Sequence, residues 1–154
     1  MYLESIRTKM TKVKFYDEVD DELLKFAVII AKSNGKWVLC KHKERNTYEA
    51  PGDHREPGED ILTTAKRELY EETGALDFFI EPVCVYSVMG QVRADKYLEK
   101  EDFGMIYYAE INSFEEELHS EIEKIYFFEE LPAEWTYPLV HPKLIAEAER
   151  RKIL

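Results

Sequence analysis

Between Pro51 and Leu76 the sequence reads PGDHREPGEDILTTAKRELYEETGAL, with seven acidic side chains in twenty-six residues. Three of them, Glu68, Glu71 and Glu72, fall within a run of strong helix formers. Carboxylates are hard oxygen donors. Several on one helix suit a divalent cation such as Mg²⁺, which binds carboxylates, waters and substrate phosphates together. The same acids also fit a plain solvated face, with Arg67 paired to Glu71 one turn on. Like charges at such spacing cost a few tenths of a kcal/mol even in water, and more when half-buried without a cation. The helix alone leaves both readings open.

The elements that must position these side chains are legible nearby. Asp60 is a good N-cap and Gly74 a good residue just past the helix end, so a helix is expected over Asp60–Thr73. At ~100° per residue, Leu62, Ala65 and Leu69 form an apolar stripe that must face a sheet. Glu68 and Glu72 flank that stripe, and Glu71 lies a step further round. Upstream, Phe26–Ala31 and Lys36–Cys40 are β-prone runs on either side of Ser33-Asn34-Gly35. Asn-Gly favours a tight hairpin. Downstream, DFFIEPVCVYSV, FGMIYYAEI and KIYFF read as further strands, and Pro142 to about Lys152 as an amphipathic helix. The charged stretches 93–102 and 112–120 read as loops, the second with a Glu-rich middle able to form a helical turn. The expectation is one α/β domain over 1–154 with a mixed sheet.

The stretch resembles the Nudix box: Gly, five residues, Glu, seven residues, Arg-Glu, an aliphatic, any residue, Glu-Glu, any residue, Gly and a bulky aliphatic. On this chain Glu59 is the first Glu, followed by Arg67-Glu68-Leu69-Tyr70-Glu71-Glu72-Thr73-Gly74. Every charged position matches, and the wider resemblance covers roughly residues 25–132. Two positions depart. The opening Gly is Asp53, a residue type that tolerates a left-handed backbone, and the closing aliphatic is Ala75. The fold implied is the Nudix α/β/α sandwich, with a mixed β-sheet between helices.

The resemblance also implies chemistry: hydrolysis of a phosphoanhydride in a nucleoside diphosphate derivative. It assigns the metal, Mg²⁺ or Mn²⁺ in its place, to Glu68, Glu71, Glu72 and the backbone carbonyl of Gly52. Arg67 corresponds to an Arg that positions carboxylates. The general base varies among such proteins and often lies outside the box, and Glu121 is preferred to Glu123 for it. Lys41, Lys43 and Arg45 stand near the loop entrance as candidate phosphate contacts. Tyr48, Tyr86 and Tyr107 are candidates to stack on a base, with core packing the competing reading for each. His42 and His54 have no partners at metal-ligand spacing and read as surface residues.

Whole-chain properties bound the rest. The chain has 154 residues, 45% of them hydrophobic, and a formal net charge of -11. It can bury one proper core. Its acidity argues against non-specific binding to DNA, RNA or anionic membrane. Cys40 and Cys84 sit in apolar runs and read as core thiols. No signal peptide or membrane span is legible, which makes the cytoplasm the expected location. The substrates that suit such a chain are a nucleoside triphosphate, an oxidised nucleotide, an RNA 5′-triphosphate end or an ADP-sugar. The rival readings are a catalytically silent nucleotide-binding regulatory module, which Asp53 favours, and a purely structural acidic domain. Homodimers are common among proteins of this kind, though no interface is legible.

Overall fold

The computed structural model describes residues 10–93, 95–116 and 122–151, with backbone alone for 122–124. The strands are β1 (Lys12–Tyr16), β2 (Leu24–Ser33), β3 (Lys36–His42), β4 (Gly52–His54), β5 (Ala75–Arg93), β6 (Lys96–Phe114) and β7 (Ile122–Phe128). The helices are α1 (Ile61–Thr73) and α2 (His141–Arg150). Six strands follow the order β1-β5-β6-β2-β3-β7, and β4 pairs with β2 off that path. The β2–β6 pair is parallel and the other pairs are antiparallel, so the sheet is mixed.

Strand alternation explains why the sheet is covered on both sides. Along β2, Val28 and Ile30 join one core cluster with Leu39, Cys84, Ile106 and, from α2, Leu144, Ile145 and Ala148. The intervening Ala27, Ile29 and Ala31 join the other with Val38, Ala109, Ile111 and, from α1, Ala65 and Leu69. The result is the expected α/β/α layering. The β2–β3 turn is the expected tight hairpin: Asn34 and Gly35 both have positive φ, at 51° and 78°. Cys40 and Cys84 are buried free thiols.

The charged stretch 93–102 is not a loop. β5 and β6 continue their pairing through Gly90↔Leu98 and Gln91↔Tyr97 to Arg93↔Lys96. A two-stranded ribbon of this kind lacks the one-sided apolar alternation that marks a strand in sequence. Likewise Asn112–Phe114 completes β6, and 117–120 lies outside the described residues.

Helix α1 has the caps its sequence promises. The Asp60 side chain accepts from the Thr63 N–H at 2.8 Å. Gly74, at φ 75°, closes the other end in the left-handed region, its N–H donating to the Tyr70 carbonyl. The buried face, however, is Thr64, Ala65, Glu68, Leu69, Glu72 and Thr73. It is centred on the carboxylate flank of the expected stripe. Leu62, at the far edge of that stripe in the first turn, is 39% exposed.

Candidate active site

The site is built where α1 meets β4. Glu68 and Glu72 point inward and are buried, at 6% and 7% exposure. Glu72 Oε1 accepts from the Gly52 N–H at 2.6 Å. Burial pushes the Glu72 carboxyl well above its ordinary range. The Gly52 N–H opposes that rise, and the charges of Glu68, Glu49 and Asp53 add to it. Burial raises Glu68 too, against the pull of Arg67. Glu71 differs, with its side chain 42% exposed.

Arg67 organises the acids. Its Nε and Nη2 donate to the two Glu59 oxygens at 2.6 and 3.0 Å. Its Nη1 donates to Glu68 Oε1 at 2.6 Å and to Glu71 Oε2 at 3.2 Å, and Nη2 also reaches the His54 carbonyl. The planar guanidinium can satisfy so many acceptors because its donors form a rigid fork. Glu59 also accepts from Thr64 Oγ1 and the Glu56 N–H. Arg67 and these donors together hold Glu59 down to a pKa of about 2. Glu59 thus braces Arg67, and Arg67 in turn sets Glu68 and Glu71.

Gly52 is required by space as well as by backbone angle. Its φ is 145°, and a Cβ there would stand 2.1 Å from the Ala27 carbonyl oxygen. Asp53 has no such demand. It pairs with Ala27 inside β4, and Asn34 alone among described non-glycine residues has positive φ. The left-handed backbone that an Asp can tolerate is therefore not used at this position. The Asp53 carboxylate instead binds its neighbour, accepting from the His54 N–H at 2.8 Å and pairing with His54 Nδ1 at 2.6 Å.

A pocket of about 290 Å³ opens beside Gly52 and Glu72. Its walls include apolar and aromatic side chains such as Val28, Tyr86 and Tyr137, and the basic Arg45 and Arg93. Lys41 is half-buried on β3 and does not line it. Tyr48 does not line it either. Its ring packs edge-on against Tyr126 and Phe128 at 5.1 and 5.0 Å. Tyr107 belongs to the core on the α1 side. Glu121 lies outside the described residues, and of Glu123 only the backbone, in β7, is described.

Several pocket residues escape the sequence reading. His42 is no surface residue: its Nε2 stands 3.5 Å from Glu49 Oε1 and 4.0 Å from Glu72 Oε2. His54 is largely exposed but lines the pocket. Glu49 is buried at 7%, and its Oε1 has no hydrogen-bond partner, with Arg45 Nη1 also 3.5 Å away. Burial raises its carboxyl, while His42, Arg45 and Arg93 oppose the rise. His141 is buried at the start of α2, where its Nδ1 accepts from the Ala50 N–H at 3.1 Å. Burial lowers its pKa to about 4. The only local signal for Glu49 is a lone acid in the short strand-like segment NTYEA before Pro51-Gly52. His141 has none beyond its place before a helix-starting Pro142.

The donors fit a hard divalent cation in kind. Two buried carboxylates are pushed up by burial and by neighbouring acids, the condition a cation relieves. Among the described residues, no three His, Cys, Asp or Glu side chains stand together as a formed metal cluster. Arg67 holds Glu68 and Glu71, and the Gly52 N–H holds Glu72.

Comparison with known proteins bears on this geometry. A family model described as the NUDIX domain matches residues 22–148. The putative 8-oxo-dGTP diphosphatase YtkD of Bacillus subtilis (strain 168) is 33% identical over 122 residues, spanning 79% of this chain and 72% of that protein. The crystal structure of the Bacillus subtilis pyrophosphohydrolase BsRppH superposes with a TM-score of 0.73 at 27% identity, covering 91% of this chain and 90% of that one. A NUDIX hydrolase from Nitrosomonas europaea, at 20% identity and a TM-score of 0.67 over 82% of this chain and 89% of that one, shares the fold.

Proposed function

This chain belongs to the Nudix family of pyrophosphohydrolases, and from that premise we propose that it hydrolyses a phosphoanhydride bond of a nucleotide with Mg²⁺, or Mn²⁺ in its place. The observation that carries this reading is the buried pair Glu68 and Glu72, set by Arg67 and the Gly52 N–H at the edge of a pocket of about 290 Å³. Glu68, Glu71, Glu72 and the Gly52 carbonyl would hold the metal. Such an ion neutralises phosphate oxygens, lowers the pKa of a bound water and aligns the leaving group.

The chain's own residues do the rest. Arg67 keeps Glu68 and Glu71 oriented and remains clear of the reacting atoms. Arg45 and Arg93, on the pocket wall, supply positive charge for an anionic substrate. Tyr86 and Val88, both buried, provide an apolar surface for the rest of the substrate. Glu121 remains the proposed general base. The substrate class is a nucleoside triphosphate, an oxidised nucleotide, an RNA 5′-triphosphate end or an ADP-sugar. The relative named for 8-oxo-dGTP favours an oxidised nucleotide. No helix among the described residues is long and apolar enough to cross a membrane, and a cytoplasmic location is proposed with the activity.

The test is release of phosphate and pyrophosphate across a panel of these substrates with Mg²⁺, comparing wild type with Glu72→Gln. Turnover of one class, lost in the variant, is expected. Mg²⁺ should also raise the melting temperature of wild type and leave that of Glu72→Gln unmoved. Nucleotide binding without turnover across the whole panel would replace the hydrolase with the silent binding module.

A further inference from the structure

The pocket holds two polar groups that the metal chemistry does not use. Glu49 Oε1 is buried without a hydrogen-bond partner, because His42 Nε2 and Arg45 Nη1 stop at 3.5 Å. His141 spends its Nδ1 accepting from the Ala50 N–H. A neutral imidazole with one nitrogen accepting carries its proton on the other. Nε2 is therefore an N–H donor on a residue 6% exposed that lines the pocket. Glu49 and His141 lie on either side of the same short backbone link, since Ala50 follows Glu49 directly. An acceptor-only carboxylate and an N–H donor thus share one polar wall. Buried Tyr86 and half-buried Tyr137 add flat surface, and the Tyr137 ring packs on His141 at 5.0 Å.

We propose that this wall is a base-reading subsite for guanine, with the Glu49 carboxylate accepting from N1–H and the 2-amino group and the His141 Nε2–H donating to O6. The inference rests on the nucleotide hydrolase reading for the presence of a nucleotide in the pocket. The choice of base follows from hydrogen-bond accounting. A buried carboxylate left with a free oxygen is costly, and two parallel N–H donors satisfy both oxygens at once. Guanine offers that pair beside a carbonyl acceptor. Adenine offers one donor and leaves a Glu49 oxygen unpaired. Inosine keeps N1–H and O6 and lacks the 2-amino donor. Pyrimidine edges offer no pair of adjacent N–H donors beside a carbonyl acceptor. The ring faces are read by stacking, which every base shares, so discrimination falls to Glu49 and His141.

Two measurements test this. In the first, GMP, IMP and AMP are titrated into metal-free protein by calorimetry, which isolates the base subsite from the metal site. In the second, kcat/KM is measured with Mg²⁺ for GTP, ITP and ATP in wild type and in Glu49→Gln. GMP should bind about tenfold or more tighter than IMP and AMP, and GTP should be preferred over ITP by a similar factor. Glu49→Gln should collapse the GTP:ITP ratio to within about twofold. A ratio is independent of the fraction of sample that is folded, and the wild-type series needs no variant. Turnover with no preference for guanine overturns the subsite and leaves the hydrolase standing. A guanine preference that survives in Glu49→Gln overturns the role of Glu49. No turnover of any triphosphate, with GMP still the tightest monophosphate, removes the hydrolase reading and supports the subsite.

Discussion

Substituting Gly52 by Ala should disable the protein through three effects that the geometry separates. A Cβ at Gly52 would stand 2.1 Å from the Ala27 carbonyl oxygen and 2.8 Å from the Val28 Cα. Both are backbone atoms of the central strand β2 and cannot turn aside. Relieving that overlap means displacing β4 from β2, at about 1–3 kcal/mol as for other overpacked sites. A side chain at φ 145° adds about 1–3 kcal/mol of backbone strain. Moving β4 also breaks the 2.6 Å bond from the Gly52 N–H to Glu72. A charge-assisted bond of this kind contributes about 1.5–3 kcal/mol. The loss is therefore about 3.5–9 kcal/mol, comparable with the whole stability of many domains. Urea denaturation monitored by tryptophan fluorescence measures it directly, with Asp53→Gly as the neighbouring control. The folded fraction of Gly52→Ala should also show no Mg²⁺-dependent rise in melting temperature. A loss below about 1 kcal/mol, with the Mg²⁺ response intact, would refute both the packing argument and the role given to the Gly52–Glu72 bond.

Other outcomes follow from the same structure. Asp53→Gly should change stability by less than about 0.5 kcal/mol, because Asp53 has ordinary strand geometry and an exposed partner in His54. A gain above about 1 kcal/mol on denaturation would mean that Asp53 is strained after all. Removing its charge should also lower the carboxyls of Glu68 and Glu72, moving the acid limb of the kcat/KM profile to lower pH. His141 titrates near 4 when folded and near 6.5 when unfolded. The unfolded state therefore binds the extra proton, so stability present above pH 6.5 is lost as pH falls toward 4. That loss is about 3 kcal/mol. Comparing the pH dependence of denaturation in wild type and His141→Asn, which keeps an acceptor for the Ala50 N–H, should show the term vanish, and equal slopes would count against it. Arg67→Lys should cost about 1–3 kcal/mol by unfastening Glu59 and Glu68. Titration of activity against Mg²⁺ should then show weaker half-saturation, and an unchanged Mg²⁺ requirement would mean that Arg67 does not set the carboxylates.

Some of this protein is local and some is not. The α1 helix, its caps at Asp60 and Gly74 and the Asn34-Gly35 turn depend on residues within a few positions of one another. Each could therefore be read directly from the chain. The same holds for the spacing of Glu59, Arg67, Glu68, Glu71 and Glu72, since helix geometry alone brings the last four within reach. The tertiary structure decided which carboxylates are buried. Docking α1 on β2 turned Glu68 and Glu72 inward with Ala65 and Leu69 and left Leu62 and Glu71 toward solvent. It also decided the meaning of Asp53, because the left-handed geometry falls on Gly52, where β4 meets β2. The pocket wall is the clearest non-local result. Glu49 and His141 are ninety-two positions apart in sequence, and only the packing of α2 beneath the β3–β4 connection brings the Ala50 N–H to the His141 ring. Burial there keeps the imidazole neutral and leaves Glu49 Oε1 without a partner. Neither condition is written in residue spacing, because desolvation belongs to the folded surroundings and not to the side chain.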